Sequence, residues 1–303
     1  MSESRSYRGR FAPSPTGHLH FGSMVAAVGS YLQAKSKNGL WFVRIEDLDP
    51  PREIAGAADA ILSSLEYYGM GWDGEIIYQS QRSEAYIDAL ERLNGKGKIY
   101  PCGCSRKQIM EDSISGQYGP IYQGICRQGL SKDKQPRALR VLTHNATISF
   151  HDGLRGTFEQ KLESEVGDFV VRRADKLFAY QLAVVIDDGA QDISEVVRGA
   201  DLLDNTPRQI HLQQLLGIST PAYVHLPVAV NIQGQKLSKQ SGAKSIHDLR
   251  PQQLLFEVLT FLNQKPPAEL IECSLDAFWQ WAISNWRLDD VPRQNLIAPS
   301  LQL

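Results

Sequence analysis

The sequence has 303 residues, of which 42% are hydrophobic and 22% charged, and its formal net charge is −2. This length and composition fit one large or two medium globular domains, and the near-neutral charge excludes a protein that holds nucleic acid by its overall charge, although a local basic face is still allowed. No apolar run is long enough to span a membrane, and the N-terminus has no apolar signal-peptide core, so we expect a cytoplasmic protein without a membrane partner.

The segment RFAPSPTGHLHFGS (10–23) predicts the end of a strand, a tight turn and the start of a helix. Pro13, Pro15 and Gly17 mark the turn, and the apolar residues of MVAAVGSYLQA recur at helical spacing. The first turn of a helix offers unpaired N–H groups to a phosphate, and His20 could add a side-chain donor. A proline turn before a helix is also common on protein surfaces, so this segment alone leaves both interpretations open.

Strands and helices then alternate. LWFVRIEDLDP (40–50) predicts a buried strand with an acidic end, residues 55–70 predict a helix, and a short strand precedes a helix from about Ser83 to Leu93. This order is typical of a parallel α/β sheet. Residues 100–130 are rich in Cys, Gly and Tyr, and residues 137–160 alternate like short antiparallel strands, which indicates an insertion.

The α/β pattern resumes after the insertion, with YVHLPVAVN as another buried strand, and amphipathic helices end the chain. The predicted fold class is therefore α/β, with a Rossmann-like parallel-sheet core in two halves and a short helical C-terminal tail. The predicted segments are 1–99 (first half of the core), 100–165 (insertion), 166–244 (second half) and 245–303 (tail).

Two further stretches indicate chemistry. Cys102, Cys104 and Cys126 cluster in the insertion and suit Zn²⁺, although three reduced cysteines in a small domain are the alternative, and the lone Cys273 is expected in the core. GQKLSKQ (234–240) places two lysines three residues apart, where one could neutralise a phosphoryl group in a transition state. Such a loop is more often solvated surface, and alone it is weak support.

Taken together, these stretches resemble the paired signatures of class I aminoacyl-tRNA synthetases. HFGS (20–23) matches the HIGH motif and KLSKQ (236–240) matches KMSKS, while RIEDLDPPR, AVVIDD, VVRGADLL and HLPVAVN are similar to glutamyl-tRNA synthetases from about residue 8 to 245. Ser23 stands where HIGH has its second histidine, so we expect His18 and backbone N–H groups to take over the phosphate contacts of that histidine. Gln240 replaces the last serine of KMSKS.

The C-terminus departs further from glutamyl-tRNA synthetases, which continue into a large helical anticodon-binding region, whereas this sequence ends at Leu303. The core, the cysteine-bearing insertion and the short tail resemble the glutamyl-Q tRNA(Asp) synthetase family, which attaches glutamate to queuosine in the anticodon of tRNA(Asp). The resemblance implies a ligase that uses L-glutamate, ATP with Mg²⁺ and queuosine-containing tRNA(Asp), and we expect a monomer. A truncated glutamyl-tRNA synthetase charging tRNA(Glu) and a non-catalytic paralogue are the alternatives.

The resemblance also implies residue roles. The glutamate-binding residues are Arg10 and Arg198 for the carboxylates, Glu46 for the ammonium group, and Ser14 and Tyr180 for neutral hydrogen bonds. Arginine pairs bidentately with carboxylates, and we assign the side-chain carboxylate to Arg10. The ATP-binding residues are His18, His20, Gly22 and Lys239, and the catalytic residues are His20, Lys236 and Lys239. Without the resemblance, Arg198 would be a surface residue and Tyr180 a core aromatic.

For the metal, the resemblance implies a structural zinc site in which Tyr122, four residues before the last cysteine, joins Cys102, Cys104 and Cys126. Phenolate is an unusual zinc ligand, so Asp112, His144 and His151 remain alternatives. We therefore expect residues 100–165 to form a zinc-containing insertion that contacts RNA, and residues 166–244 to include the KLSKQ loop. Several basic residues near the insertion could contact an RNA backbone or be merely solvated: Arg106, Lys107, Arg127, Arg172 and Arg173.

Overall fold

The computed structural model describes residues 6–132, 134–231, 233–234 and 250–299. The first half of the core alternates strands and helices: β1 (Arg8–Phe11), α1 (Phe21–Lys35), β2 (Leu40–Ile45), α2 (Ala57–Tyr67), β3 (Ile77–Tyr78) and α3 (Ser83–Gly95). β1 pairs in parallel with β2, and β2 in parallel with β3. The parallel α/β arrangement predicted from the alternation is confirmed here.

The middle of the chain is mostly antiparallel. Its elements are β4 (Ile99–Cys102), α4 (Arg106–Asp112), β5 (Ile114–Gly116), β6 (Gly119–Ile121), β7 (Ala138–Val141), β8 (Thr147–Asp152), β9 (Gly156–Lys161), α5 (Leu162–Glu165) and β10 (Val170–Arg172). β7 lies between β4 and β10, and β5 pairs with β6 and β8 with β9, all antiparallel. The predicted short antiparallel strands are therefore present.

The second half of the core and the tail contain α6 (Tyr180–Ala190), β11 (Glu195–Gly199), α7 (Thr206–Leu216), β12 (Ala222–Leu226), β13 (Ala229–Val230), α8 (Pro251–Phe261), α9 (Leu275–Asn285) and β14 (Leu296–Ile297). β11 pairs in parallel with β12, and β12 contacts β8 through the pair Tyr223 and Asp152. The β8–β9 hairpin, expected from sequence to belong to the insertion, thus extends the sheet of the second half.

The two halves of the core meet at β1 and β11. The backbone N–H of Ser194 donates to the carbonyl of Arg8 at 2.9 Å, and the N–H of Arg8 donates to Ser194 Oγ at 2.8 Å. β1 and β11 therefore lie side by side, so that the sheets β3–β2–β1 and β11–β12–β8–β9 meet edge to edge, and the direction of strand addition reverses at this junction. In open α/β sheets, this switch point is where ligands bind, at the carboxyl ends of the strands.

Helix α1 and the tail close one face of this sheet. A Cβ atom at Gly29 would lie 2.5 Å from Leu226 Cδ1, so the absence of a side chain lets α1 pack against β12. Trp279 Nε1 donates to the carbonyl of Tyr68 at 2.9 Å, which fastens α9 to the first half. Cys273, expected in the core, is only partly buried against it. None of the described helices has the length and apolar character needed to cross a bilayer.

Candidate active site and cysteine cluster

A cleft of about 450 Å³ opens at the carboxyl ends of β1, β2 and β11. The described residues predicted from sequence to bind glutamate or ATP all line it: Arg10, Ser14, His18, His20, Gly22, Glu46, Tyr180 and Arg198. Lys236 and Lys239 belong to residues 235–249, which lie outside the described residues. The fold thus brings the described candidates into one cleft, at the strand switch point.

The turn between β1 and α1 forms one wall of the cleft. Gly17 has a φ of 120°, a left-handed conformation that favours glycine. His20 is the N-cap of α1, and its Nδ1 accepts a hydrogen bond from the N–H of Ser23 at 3.2 Å. In neutral histidine this leaves the proton on Nε2. The predicted strand, turn and helix start are confirmed, and the imidazole can offer a donor beside the helix N-terminus.

Arg198, at the end of β11, is a buried cation with only neutral partners. Its Nη2 donates to Thr206 Oγ1 at 2.8 Å and its Nη1 to Tyr180 Oη at 3.4 Å. The side chain is 5% exposed, and no Asp or Glu among the described residues lies within ion-pairing distance of it. The surface alternative for Arg198 is therefore wrong. A desolvated guanidinium without a counter-ion is receptive to an anionic ligand.

Two residues behind Arg198 orient its guanidinium. Arg198 Nε donates to His225 Nε2 at 3.1 Å, and His225 Nδ1 lies 2.6 Å from Asp152 Oδ2, with both of the latter side chains fully buried. Burial, together with the charge of Arg198, lowers the pKa of His225 to about 4. The imidazole is therefore neutral, donates from Nδ1 to Asp152 and accepts at Nε2.

Sequence reasoning assigned no role to Asp152 or His225. The motif HLPVAVN, which begins at His225, was part of the family resemblance, and a histidine inside an apolar strand was the available signal. Nothing local connects it to Asp152, which lies 73 residues earlier in the chain.

The opposite wall carries a buried ionic network. Arg10 donates to both carboxylate oxygens of Asp188, from Nε at 3.1 Å and from Nη2 at 3.3 Å. The fully buried Arg44 donates to the same carboxylate at 2.8 Å and lies 3.5 Å from Glu46 Oε1. Arg10 therefore has a counter-ion, whereas Arg198 has none among the described residues, so the two arginines predicted to bind carboxylates differ electrostatically. Sequence reasoning missed Asp188 and Arg44, although charged residues within the apolar runs AVVIDD and FVRI were a signal.

Glu46 follows β2 and points a desolvated carboxylate at the cleft. Its Oε1 is buried beside Arg44 and accepts no well-formed hydrogen bond from the described residues. Burial raises its pKa to about 7, against the opposing charges of Arg44 and Arg10. Arg44 already lies beside Oε1, and a cation entering the cleft would add a second compensating charge and a hydrogen-bond donor for the carboxylate.

The cysteine cluster lies apart from this cleft, in the middle of the chain. The Sγ atoms of Cys102, Cys104 and Cys126 lie within 4.8 Å of one another, and all three side chains are buried. Tyr122 Oη lies 3.4 Å from Cys102 Sγ and 3.7 Å from Cys104 Sγ, so one oxygen and three sulfur atoms converge. The alternatives for the fourth position are exposed and outside the cluster: Asp112, His144 and His151.

Three of the basic residues near the insertion are engaged within the protein. Arg127 pairs with Asp168 at 2.5 Å and with Glu163 at 2.6 Å, which ties the loop that bears Cys126 to the rest of the fold. Arg172 lies over the ring of Phe178, and Arg173 forms two ion pairs. Arg127 is therefore neither a free RNA contact nor merely solvated, the two alternatives considered from sequence.

Comparisons with known proteins agree with this geometry. The family profile described as tRNA synthetases class I (E and Q), catalytic domain, matches residues 6–263. The chain is 52% identical to the glutamyl-Q tRNA(Asp) synthetase of Aromatoleum aromaticum, over 95% of this chain and 91% of that protein. It is 53% identical to the one of Dechloromonas aromatica, over 96% and 97% respectively. The crystal structure of the glutamate–tRNA synthetase of Elizabethkingia anophelis superposes with a TM-score of 0.82 over 98% of this chain and 68% of that one, and at 23% identity it supports the fold alone.

Proposed function

The chain belongs to the class I tRNA synthetases of the glutamate and glutamine (E and Q) type, and on that premise we propose that it activates L-glutamate with ATP and transfers the glutamate to the queuosine base of tRNA(Asp). It is a ligase. The geometric observation that carries the amino-acid part is the presence in one cleft of Arg198, a buried cation that no described carboxylate balances, and of Glu46, a buried carboxylate whose Oε1 accepts no hydrogen bond from the described residues.

Glutamate supplies the complementary groups. Its ammonium group meets the Glu46 carboxylate, to which it gives a hydrogen-bond donor and a second positive charge beside that of Arg44. One of its carboxylates meets Arg198 and Tyr180, since burial raises the pKa of Tyr180 and keeps the hydroxyl protonated as a donor. The second carboxylate meets Arg10, whose Nε and Nη2 are occupied by Asp188. We keep the side-chain carboxylate on Arg10, and Ser14 adds a neutral hydrogen bond.

Activation is attack of a glutamate carboxylate oxygen on the α-phosphorus of ATP, which forms glutamyl-adenylate and releases pyrophosphate. The protein positions the reactants and stabilises charge, so no protein nucleophile is required. His20 and the first N–H groups of α1 would bind the phosphates, with His18 and Gly22 lining the same wall. Lys236 and Lys239 are assigned to the phosphates from sequence alone. Mg²⁺, when bound, neutralises charge on the pyrophosphate.

Transfer then requires a queuosine hydroxyl to attack the carbonyl of the mixed anhydride. The bond between the carbonyl carbon and the bridging oxygen of the anhydride breaks, and AMP leaves with that oxygen. An ester then joins the glutamyl group to the queuosine hydroxyl. A proton is lost from the hydroxyl. The reaction is thus the same acyl transfer that charging of a terminal ribose would require, with a different hydroxyl as the acceptor.

The cysteine cluster fits a structural Zn²⁺. Three sulfur atoms and the Tyr122 hydroxyl provide four protein donors, the number that a structural zinc site uses, and such a closed set leaves no open position for catalysis. The residues that would hold the ion are Cys102, Cys104, Tyr122 and Cys126. Their role is to fasten β4 to the loop that contains Tyr122 and Cys126.

One experiment tests the proposal against its alternatives. Labelled glutamate and ATP are offered with tRNA(Asp) that bears queuosine, with unmodified tRNA(Asp), and with tRNA(Glu). We expect product on the queuosine-bearing RNA, including an isolated anticodon stem-loop, and none on the same loop with guanosine. Charging of tRNA(Glu) at its terminal ribose with no product on queuosine RNA would favour a glutamyl-tRNA synthetase. Absence of glutamate-dependent ATP–pyrophosphate exchange would favour a non-catalytic paralogue.

A further inference from the structure

A second cleft, of about 830 Å³, lies beside the cysteine cluster and is rich in arginine. Four guanidinium groups line it, from Arg106, Arg137, Arg140 and Arg173, and Asp175 is the only acidic residue among its described lining residues. The chain as a whole has a net charge of −2, so this concentration of positive charge is local. We refer to it as the arginine cleft.

Two of these arginines have exposed side chains that are unpaired among the described residues. Arg106, at the start of α4, and Arg137, just before β7, are both exposed, and neither side chain forms a hydrogen bond or ion pair with any described residue. They come from different elements 31 residues apart, yet they line the same cleft. Exposed guanidinium groups without internal partners are free to bind phosphates.

The other two arginines belong to the framework of the cleft. The guanidinium of Arg140 lies 3.8 Å from the ring centre of Tyr122 and donates from Nη1 to the carbonyl of Asp168 at 2.7 Å, while its buried Nε has no hydrogen-bond partner among the described residues. Arg173 is ion-paired with Asp49 at 3.1 Å and with Asp175 at 2.7 Å. Arg140 therefore adds a buried positive charge beside the two free arginines, whereas Arg173 is balanced by its two carboxylate partners.

The arginine cleft adjoins the active site through β10. The N–H of Ala179 donates to the carbonyl of Val171 at 3.0 Å, so the chain that leaves the cleft runs back along β10 and enters α6 at Tyr180. On the other side, Arg173 pairs with Asp49, three residues after Glu46. Backbone and ion-pair contacts thus connect the arginine cleft directly to the segments that carry Glu46 and Tyr180 into the active-site cleft.

We propose that the arginine cleft binds the sugar–phosphate backbone of the anticodon stem-loop whose queuosine is the acceptor. This inference rests on the proposed function and adds the surface that holds the RNA. The backbone of RNA supplies adjacent phosphates that can reach both Arg106 and Arg137, and recognition of a looped RNA uses such backbone contacts together with an unstacked base.

The test replaces both free arginines, Arg106→Gln with Arg137→Gln. A matched control removes two exposed charges elsewhere, Lys96→Gln with Arg250→Gln, whose side chains contact the carbonyl of Leu215 and the carboxylate of Glu272. Each protein is assayed for glutamate-dependent ATP–pyrophosphate exchange, for glutamyl transfer to a queuosine-bearing stem-loop over a range of salt concentrations, and for binding of a fluorescent stem-loop by anisotropy.

Each lost phosphate contact should lower the salt slope by about 0.7 to 1, so the cleft variant should lose about 1.4 to 2 in slope. At physiological salt, this corresponds to a loss of about 10- to 50-fold in stem-loop affinity and in kcat/KM for transfer. Pyrophosphate exchange should be unchanged, and the control should match the wild type in all three assays.

Wild-type affinity and salt slope in the cleft variant would overturn the proposal, while transfer by the wild type would still support the proposed function. An equal fall in pyrophosphate exchange and in transfer would also overturn it, because the defect would then lie in the adenylate site. If the wild type transferred nothing to queuosine RNA, the proposed function would fail. The anisotropy measurement would still decide whether the arginine cleft binds the stem-loop.

Discussion

Replacing Arg198 by methionine removes a buried cation that no described carboxylate balances. In the free protein, the substitution removes the cost of burying a charge but also removes the hydrogen bonds to Thr206, Tyr180 and His225. Because these two effects on the free energy of unfolding have opposite signs, the melting temperature should change little. With glutamate bound, a substrate carboxylate would be buried without its cation. Leaving one partner of a buried ion pair unmatched costs about 3–5 kcal/mol.

At about 1.4 kcal/mol per factor of ten, this penalty raises the KM for glutamate by about 10²- to 10⁴-fold. Arg198→Lys keeps the charge but offers a point donor in place of a planar fork, and should raise KM by about 10- to 100-fold. The assay is ATP–pyrophosphate exchange at varied glutamate concentration, with the exposed Arg250→Gln as a control that should behave as wild type. A KM within about threefold of wild type in Arg198→Met would refute the reasoning that this guanidinium is the anion site.

Four further predictions concern the same machinery. Because burial raises the pKa of Glu46 to about 7 and a bound ammonium group lowers it again, the KM for glutamate should rise about tenfold per pH unit as the pH falls below 7. Glu46→Gln should abolish this pH dependence of KM. A wild-type KM that does not change between pH 5.5 and 8.5, a range of about 1.5 units on either side of the Glu46 pKa, would contradict the assignment. His225→Leu should raise the KM for glutamate by about tenfold with a smaller change in kcat, whereas His225→Gln, which keeps an acceptor for Arg198, should be milder; equal effects would exclude an orienting role. Purified protein should contain about one Zn²⁺ per chain by metal analysis, and Cys126→Ser should lose it and impair RNA transfer more than pyrophosphate exchange; zinc-free protein prepared without chelators would remove the site. Lys239→Ala should slow adenylate formation by about a hundredfold with little change in glutamate binding, as measured by single-turnover kinetics. An unchanged rate would favour the alternative interpretation, that this lysine has no role in the reaction.

The local elements of the core could be predicted from the sequence. The strand, turn and helix start around His20, the buried strand β2 (Leu40–Ile45) and the start of α3 at Ser83 lie where periodicity and turn residues indicate them. These features depend on near neighbours in the chain, so the signal is local. The family motifs then placed Arg198 and Glu46 in one site, and the structure brings both into the same cleft.

The electrostatic character of that site was decided by tertiary structure. Arg10 and Arg198 look equivalent as arginines within motifs, yet one is neutralised by Asp188, 178 residues away, and the other is held by neutral groups. The β8–β9 hairpin likewise joins β12, although its alternating pattern is the same as that of strands that remain in the insertion. Local periodicity specifies which face of an element is buried, but the partner that a buried polar group meets depends on which distant segments the chain brings together. Because a desolvated charge is stabilised or left unpaired by those partners, the chemistry of the cleft is a property of the packed fold.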